Sequence, residues 1–583
     1  MKMLSRALAV LFLSLTVCSQ SFADFTLPNG VSAGDVTGNS AVLWTRSTVE
    51  GKVRFEVFTR QPRHKPVALA IVEVSDVNQP VKFKAERLRA GTRYFYTVRN
   101  AKGDKLTGTF KTLDEEHESE GLDFGVSGDW RGELSPYPAI ANAWKKKLDF
   151  FVKLGDTIYA DYPTPAVNKP QAQTLLDFRL KHAEVYSTRF GMNAWGLLQL
   201  FTPIYATIDD HEVNNDFAGG APAATDERFA EISGLINETQ LYKNGLQAFN
   251  EFNAIEALTW PAIGDLRSDN RPDLYRLRRF DNTAAMFMLD ARSFRDQELP
   301  PVSNPTDPSQ VAAYLAMSFD INPLNGQALP PRTLLGQRQL NRLLQDLLTM
   351  QNAGVTWKFI MLPEPIQNIG VIGASDRYEG YAAERRNLLK FIADNNISNV
   401  VFVSADIHGT LVNNLTYQMG PGMAQIPTNA FEITTGSVAF DAPFGPTVLE
   451  LAAAVPVAPG VSLLDAFLGQ LGLADVAAFN ALPQAVKNTA LEGLVNQQII
   501  PLGYDTLGLQ DTSNVEAVLT KGTYTAVFNF GWTEFNVDEH SQALTVTTYG
   551  IDAYTEADLL NDPAEIISRK PRLINQFVVT PQS

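Results

Sequence analysis

FFVKLGDTIY, residues 150–159, runs an apolar, strand-like segment straight into Gly155-Asp156 and a tyrosine. Three other stretches repeat that plan. LDFGVS (122–127) leads into Gly128-Asp129-Trp130-Arg131, IYATI (204–208) into Asp209-Asp210-His211-Glu212, and NVVFVS (399–404) into Ala405-Asp406-Ile407-His408-Gly409. One carboxylate at the end of a buried strand is unremarkable. Four in succession, two with a histidine, predict a single polar pocket along a sheet edge. Open sheets bind ligands beyond the carboxyl ends of their strands, so the pattern proposes a metal-dependent active site.

Outward from these runs, residues from about 121 onward alternate strands with helices, which predicts an α/β unit over 121–550. Gln337–Gln351 and Gly380–Asp394 are amphipathic and bracket TWKFIML (356–362), with NVVFVS next, an order that implies parallel strands. YRLRRF (275–280) and TAAMFML (283–289), joined by Asp281-Asn282, predict an antiparallel hairpin and therefore a mixed sheet system. Pro138–Leu148 reads as a helix with proline at its start. Before the α/β unit, residues 24–114 hold many short alternating strands, as in SAVLWTR (40–46) and TRYFYTVR (92–99), and predict an all-β sandwich of immunoglobulin or fibronectin type. An acidic stretch at 114–120 separates the two. Residues 451–515 are rich in Ala and Leu and read as an inserted lid or a packing elaboration. TYTAVFNFGWTEFNV (523–537) and ALTVTTYGI (543–551) close the unit as a hairpin, leaving 551–583 as a C-terminal tail.

The chain has 583 residues, 45% hydrophobic and 19% charged, with a net charge of −16. That length requires more than one ordinary core, and that charge argues against a nucleic-acid or anionic-membrane surface. An anionic substrate then needs a local positive focus. Lys2 and Arg6, the apolar Leu8–Val17 and Ser21-Phe22-Ala23 form an export signal over 1–23, and Cys18, the single cysteine, leaves with it. A periplasmic or secreted bacterial protein is expected, with no transmembrane helix after cleavage and no protein partner evident.

Carboxylates packed together repel and resist desolvation unless cations accompany them, and hard oxygen donors suit Ca, Mg, Mn or ferric iron. Tyr159 favours Fe(III) if it ligates; otherwise it packs over its loop. Asp156 is the best bridging carboxylate for two ions about 3.5–4 Å apart, whose bound water would ionise near neutral pH and attack phosphorus. Asp290, Arg292 and Arg295 follow another strand end. Arg292 or Arg295 supplies the positive focus, or both belong to a structural Asp–Arg network.

The succession Gly-Asp, Gly-Asp, Asp-His-Glu, Asp-x-His resembles the calcineurin-like metallophosphoesterases. LGDTIYAD, DDHEVNND, MLDARSFRD, YEGYAAERRNLL and SADIHG resemble, more specifically, the PhoD-type alkaline phosphatase/phosphodiesterase family. The resemblance implies a β-sandwich flanked by helices in αββα layers, an N-terminal all-β domain, and a site of Fe(III) and Ca²⁺, with Zn, Mn or Mg as alternatives. It places Asp129 in the first metal block, Asp156 in the bridging position and Tyr159 as an iron ligand. Asp210 stands where the superfamily has a metal-binding Asn. His211 contacts phosphate or protonates the leaving group, and Asp406 and His408 close the site. Asn214 and Asn215 bind metal or phosphate, or hold their loop. Glu364 stands near a superfamily ligand histidine. Two departures are informative: Val126-Ser127-Gly128-Asp129 lacks the family's iron-binding cysteine, and Arg131 replaces a first-block histidine. An arginine there is suited to grip a phosphate oxygen with two hydrogen bonds.

The expected function is therefore an exported phosphoesterase acting on small phosphate monoesters or diesters. A phospholipase D-like phosphodiesterase acting on phospholipid head groups is the alternative, and a non-enzymatic binding protein built on the sandwich is the third.

Overall fold

A computed structural model describes residues 25–59, 65–114, 121–229, 233–510, 512 and 514–582. The export signal over 1–23 and most of the acidic stretch after Asp114 lie outside these residues.

The N-terminal region forms β1 (Val31–Gly34), β2 (Ala41–Thr45), β3 (Gly51–Phe58), β4 (Ala68–Val74), β5 (Val81–Ala85), β6 (Arg93–Arg99) and β7 (Lys105–Lys111). β3 and β4 alternate less and more exposed residues as a half-solvated antiparallel sheet requires, whereas β1 and β2 are buried throughout. The α/β region follows with β8 (Leu122–Trp130), β9 (Phe150–Leu154), β10 (Ile204–Thr207), β11 (Arg276–Phe280), β12 (Ala284–Met288), β13 (Trp357–Met361), β14 (Val400–Ser404), β15 (Thr410–Tyr417), β16 (Ile426–Thr434) and β17 (Ser437–Ala439). A small ribbon, β18 (Pro456–Ala458) and β19 (Val461–Ser462), lies within the helical segment. The chain ends with β20 (Ala517–Lys521), β21 (Thr525–Ala526), β22 (Asn529–Val537), β23 (Leu544–Asp552) and β24 (Arg572–Val579).

Two large sheets result. One runs β20-β24-β23-β22-β8-β9-β10-β1-β2-β5, with β17 on β8; the other runs β11-β12-β13-β14-β16-β15-β21. The four strand-end runs are buried at every residue but Asp123, because each serves two cores. Phe150, Val152 and Leu154 face the second sheet, where Phe359, Met361, Val401 and Val403 meet them, while Phe151 packs against the outer helices. Phe124 touches Phe359 edge-on at 4.9 Å across the interface. Helices 175–185, 194–201 and 240–252 cover the first sheet, and helices 337–352 and 382–394 the second. The layers are helix, sheet, sheet, helix. β8, β9 and β10 are mutually parallel, as are β12, β13, β14 and β16, and both sets end at the same edge.

Several expectations change. The N-terminal sandwich is not a separate sheet system, because β1 pairs parallel with β10 and carries β2 and β5 into the first large sheet; only β4-β3-β6-β7 is its own. Gly34 permits that junction, since a Cβ there would lie 2.4 Å from the Ile204 carbonyl oxygen and 2.5 Å from that of Ala254. Residues 551–583 are no tail: β24 pairs along β23, and Tyr554, Leu559 and Ile566 enter the core. RLINQFVV buries every second residue at its end, which earns it a place in the sheet. Pro138–Leu148 forms two 3₁₀ turns, Pro138–Ile140 and Ala143–Lys145, between Tyr137 and Lys147, both in left-handed backbone. The 451–515 segment packs helices 463–470, 476–480 and 484–499 onto Ile407, Leu411, Val527 and Phe528 at the end of the second sheet. Among the described residues no helix is long and apolar enough to cross a membrane.

Candidate active site

The strand-end residues leave their strands in an unusual way. Asp129, Asp156, Asp406 and His408 all have positive φ, between 50° and 66°. Left-handed backbone is disfavoured for residues with a side chain, and several such positions together signal a site whose geometry the surrounding fold enforces. Gly155, with φ 82°, makes the turn at β9, and a Cβ on it would lie 2.6 Å from the Cβ of Asp209. Glu212 fastens the turns from below. Its buried carboxylate accepts from the backbone N–H of Asp156 at 3.0 Å, Thr157 at 2.5 Å and Asp209 at 2.8 Å.

Asp129, Asp156 and His408 place ligand atoms within 4.8 Å of one another, and so do Asp156, Asp210 and His211; Asp156 belongs to both groups. The Tyr159 hydroxyl joins the first group, donating to Asp156 Oδ2 at 3.2 Å and lying 3.5 Å from His408 Nε2. Both carboxylate oxygens of Asp129 are buried without a hydrogen-bond partner, the condition a cation relieves. Burial, then Asp209, holds the Asp129 carboxyl well above the usual range; burial, then Asp210 and Asp209, does the same to Asp156. So dense a set of acids ionises fully only with cations among them.

His211 is oriented by a residue not singled out from the sequence. Its Nδ1 lies 2.7 Å from Asp161 Oδ1, and Asp161 Oδ2 accepts from the Asn215 N–H at 2.8 Å, so Nε2 is left for the site. Burial opposes a charge on His211, but Asp210 and Asp161 outweigh it and its pKa is pushed up to about 10. His408 is pushed down to about 3 by burial, then by the charges of His211 and Arg131. An acid within the quoted LGDTIYAD, opposite DDHEVNND, was the available signal for Asp161.

Asp406 separates from His408. It joins Glu364 and Asp376 in a third group of possible ligands, and Asp376 had no signal beyond its charge. Arg292 and Arg295, candidates for contacting substrate, are committed to this region. Arg292 is buried, bonded to Asp209 Oδ1 at 2.5 Å, to both oxygens of Asp376 at 2.7 and 2.9 Å, and to Glu364. Arg295 meets Glu364 at 3.1 Å and Asp376 at 2.8 Å. The two arginines form an internal Asp–Arg network rather than a free positive focus. Asp290 braces their loop by accepting from the N–H of Arg292 and Ser293. Asn214 keeps a buried carbonyl oxygen without a partner while its amide donates to Gln171. Asn215 is exposed and its side chain is tied to Asp216. Arg131 is no surface residue: it is buried, paired with Glu133 and Asp441, and stacked 3.5 Å from the Tyr162 ring centroid.

Two stacked mixed sheets with acids, two histidines and a tyrosine converging at shared strand ends define a metallophosphoesterase scaffold. The sequence profile of the PhoD-like phosphatase family matches residues 126–459, that of the PhoD-like phosphatase N-terminal domain matches 14–114, and the chain belongs to this family. It is 26% identical over 429 residues to alkaline phosphatase D of Bacillus subtilis (strain 168), a match spanning 68% of this chain and 66% of that protein. The solved structure of PhoD superposes with a TM-score of 0.62 at 19% identity, covering 97% of this chain and 94% of that one. A purple acid phosphatase from yellow lupin seeds matches with a TM-score of 0.45 at 9% identity, over 94% of this chain and 73% of that one.

Proposed function

We propose that this protein is an exported, metal-dependent phosphoesterase that hydrolyses small phosphate esters in the periplasm or outside the cell. The observation that carries the reading is Asp156, shared by two ligand groups directly beside the orphaned oxygens of Asp129. Asp129, Asp156, Tyr159 and His408 would hold one ion, and Asp156, Asp210 and Asn214 a second. Bound ions would neutralise phosphoryl charge and acidify a water nucleophile.

The identities we propose are Fe(III) in the first group and Ca²⁺ in the second. Burial, then the charge of Asp156, pushes the Tyr159 phenol well above its ordinary value, so only a strong Lewis acid would make it a ligand. With His211 kept for the leaving group, the second group's remaining side chains, Asp156 and Asp210, offer oxygen donors, which suits calcium. The chain's own residues supply the rest. His211, with Nδ1 held by Asp161, presents Nε2 to donate a proton to the leaving-group oxygen. Arg131 offers guanidinium hydrogen bonds to a phosphoryl oxygen, and Glu212 holds the turns that aim Asp156 and Asp209.

Asp156→Asn is expected to abolish hydrolysis of an aryl phosphodiester with the fold retained by circular dichroism; near-wild-type turnover would sink the proposal. Tyr159→Phe is expected to remove a phenolate-to-iron charge-transfer absorption from the purified protein. An active wild-type enzyme with calcium, zinc or manganese but no iron by elemental analysis would refute the Fe(III) assignment.

A further inference from the structure

Arg131 is held in a specific frame. Glu133, buried beside it, forms an ion pair on the inner side, and Asp441 forms another on the outer side. The Arg131 side chain is 2% exposed and that of Asp441 57% exposed, so of the two carboxylates only Asp441 reaches solvent. One positive charge thus faces two negative ones.

Asp441 is placed by the fold rather than by chance. It follows β17, which pairs parallel with β8 so that Ala439 lies opposite Trp130, and the Arg131 N–H donates to the Ala439 carbonyl at 3.1 Å. Phe440, its neighbour, stacks on the His408 ring at 3.6 Å between centroids and lies 5.2 Å from that of Tyr159. Beyond it, the Phe444 N–H donates to the His408 carbonyl at 3.1 Å. Residues 439–444 form a strap pinned to two ligand-bearing strand ends, with Asp441 at its middle.

We propose that Asp441 sets the charge selectivity of the site, favouring monoanionic phosphodiesters over dianionic phosphomonoesters. The inference rests on the phosphoesterase reading and on Arg131 contacting the phosphoryl group. A phosphoryl oxygen that reaches Arg131 meets Asp441 first. A diester brings one negative charge and a monoester close to two at neutral pH, because the second phosphate proton leaves near a pKa of about 6. The additional charge meets the Asp441 carboxylate at a half-exposed position, where one unit-charge interaction is worth on the order of tenfold in binding.

The test compares metal-loaded wild-type enzyme with Asp441→Asn and Asp441→Ala on an aryl phosphate monoester and a methyl aryl diester carrying the same leaving group. Inorganic phosphate serves as competitive inhibitor. In both variants the monoester-to-diester ratio of kcat/KM is expected to rise on the order of tenfold, chiefly through a lower monoester KM, and phosphate is expected to inhibit at lower concentration. An unchanged or falling ratio in an active enzyme overturns the role of Asp441 alone, and equal losses on both substrates would show that it merely positions Arg131. A metal-loaded wild-type enzyme that hydrolyses neither ester overturns the phosphoesterase reading and this inference with it.

Discussion

Replacing Asp161 with Asn tests whether His211 acts as the proton donor. The side chains keep their shape, but the acceptor 2.7 Å from His211 Nδ1 loses its charge. A hydrogen bond between charged partners contributes about 1.5–3 kcal/mol net, and the bond lies in a largely buried setting. If the imidazolium is the proton donor, losing that support lowers its pKa, so kcat falls about 10- to 150-fold at pH above the wild-type alkaline limb, with little change in KM. The assay compares diesters with an acidic phenol leaving group and with an alkyl alcohol. A phenolate departs without help, so the loss concentrates on the alkyl ester. The sign with pH also follows. Asp161 helps hold the His211 pKa up, so its removal moves the alkaline limb of kcat to lower pH, the donor being active only below its pKa. His211→Gln should show the same leaving-group dependence, and the double variant should be far from additive. Equal losses on both leaving groups, with no movement of the alkaline limb, would refute the argument.

Two further outcomes concern the frame. Asp35, buried between Arg276 at 3.0 Å and Arg278 at 2.5 Å, joins the N-terminal strands to β11. Asp35→Ala leaves buried arginine charge unpaired and should cost about 3–5 kcal/mol in urea unfolding. Burial alone would raise the Asp35 pKa, but Arg276 and Arg278 outweigh it and hold the carboxyl below its ordinary range. Its contribution is therefore present at neutral pH and lost as pH falls through that lowered value, so variant and wild type should converge in acid; a gap that persists there would contradict the assignment. Gly155→Ala forces a Cβ against Asp209 in left-handed backbone and should cost about 1–3 kcal/mol in stability. It should also lower the metal content of purified protein, and full metal loading at wild-type stability would show that the turn has room.

Much of the site was legible because its ligands sit at the ends of short, mostly apolar runs. Strands buried on both faces leave a plain mark in the sequence, and Gly-Asp directly after them marks the turn. Asp161 and Asp376 were not legible. Each lies in a loop, and its role depends on a partner 50 or more residues away: His211 for Asp161, Arg292 for Asp376. The arginines illustrate the same limit. Arg292 and Arg295 follow a strand end as Arg131 does, yet nothing in the spacing tells a guanidinium enclosed by buried carboxylates from one paired with an exposed carboxylate such as Asp441. β24 escaped because an edge-type alternation near a chain end looks like any solvated segment until its partner strand is known.

The sequence by itself determined that this is a layered α/β protein with acids and histidines at the carboxyl ends of four buried strands, because strand burial and turn chemistry are local properties written in consecutive residues. The stacking of the two sheets decided the rest. It brought Asp156 into both ligand groups, parted Asp406 from His408, carried the N-terminal strands into the main sheet and set Asp441 across Arg131. Those outcomes follow from side-chain directions at left-handed turns and from contacts between residues as much as 310 positions apart, as in the Arg131–Asp441 pair, and no local pattern encodes them.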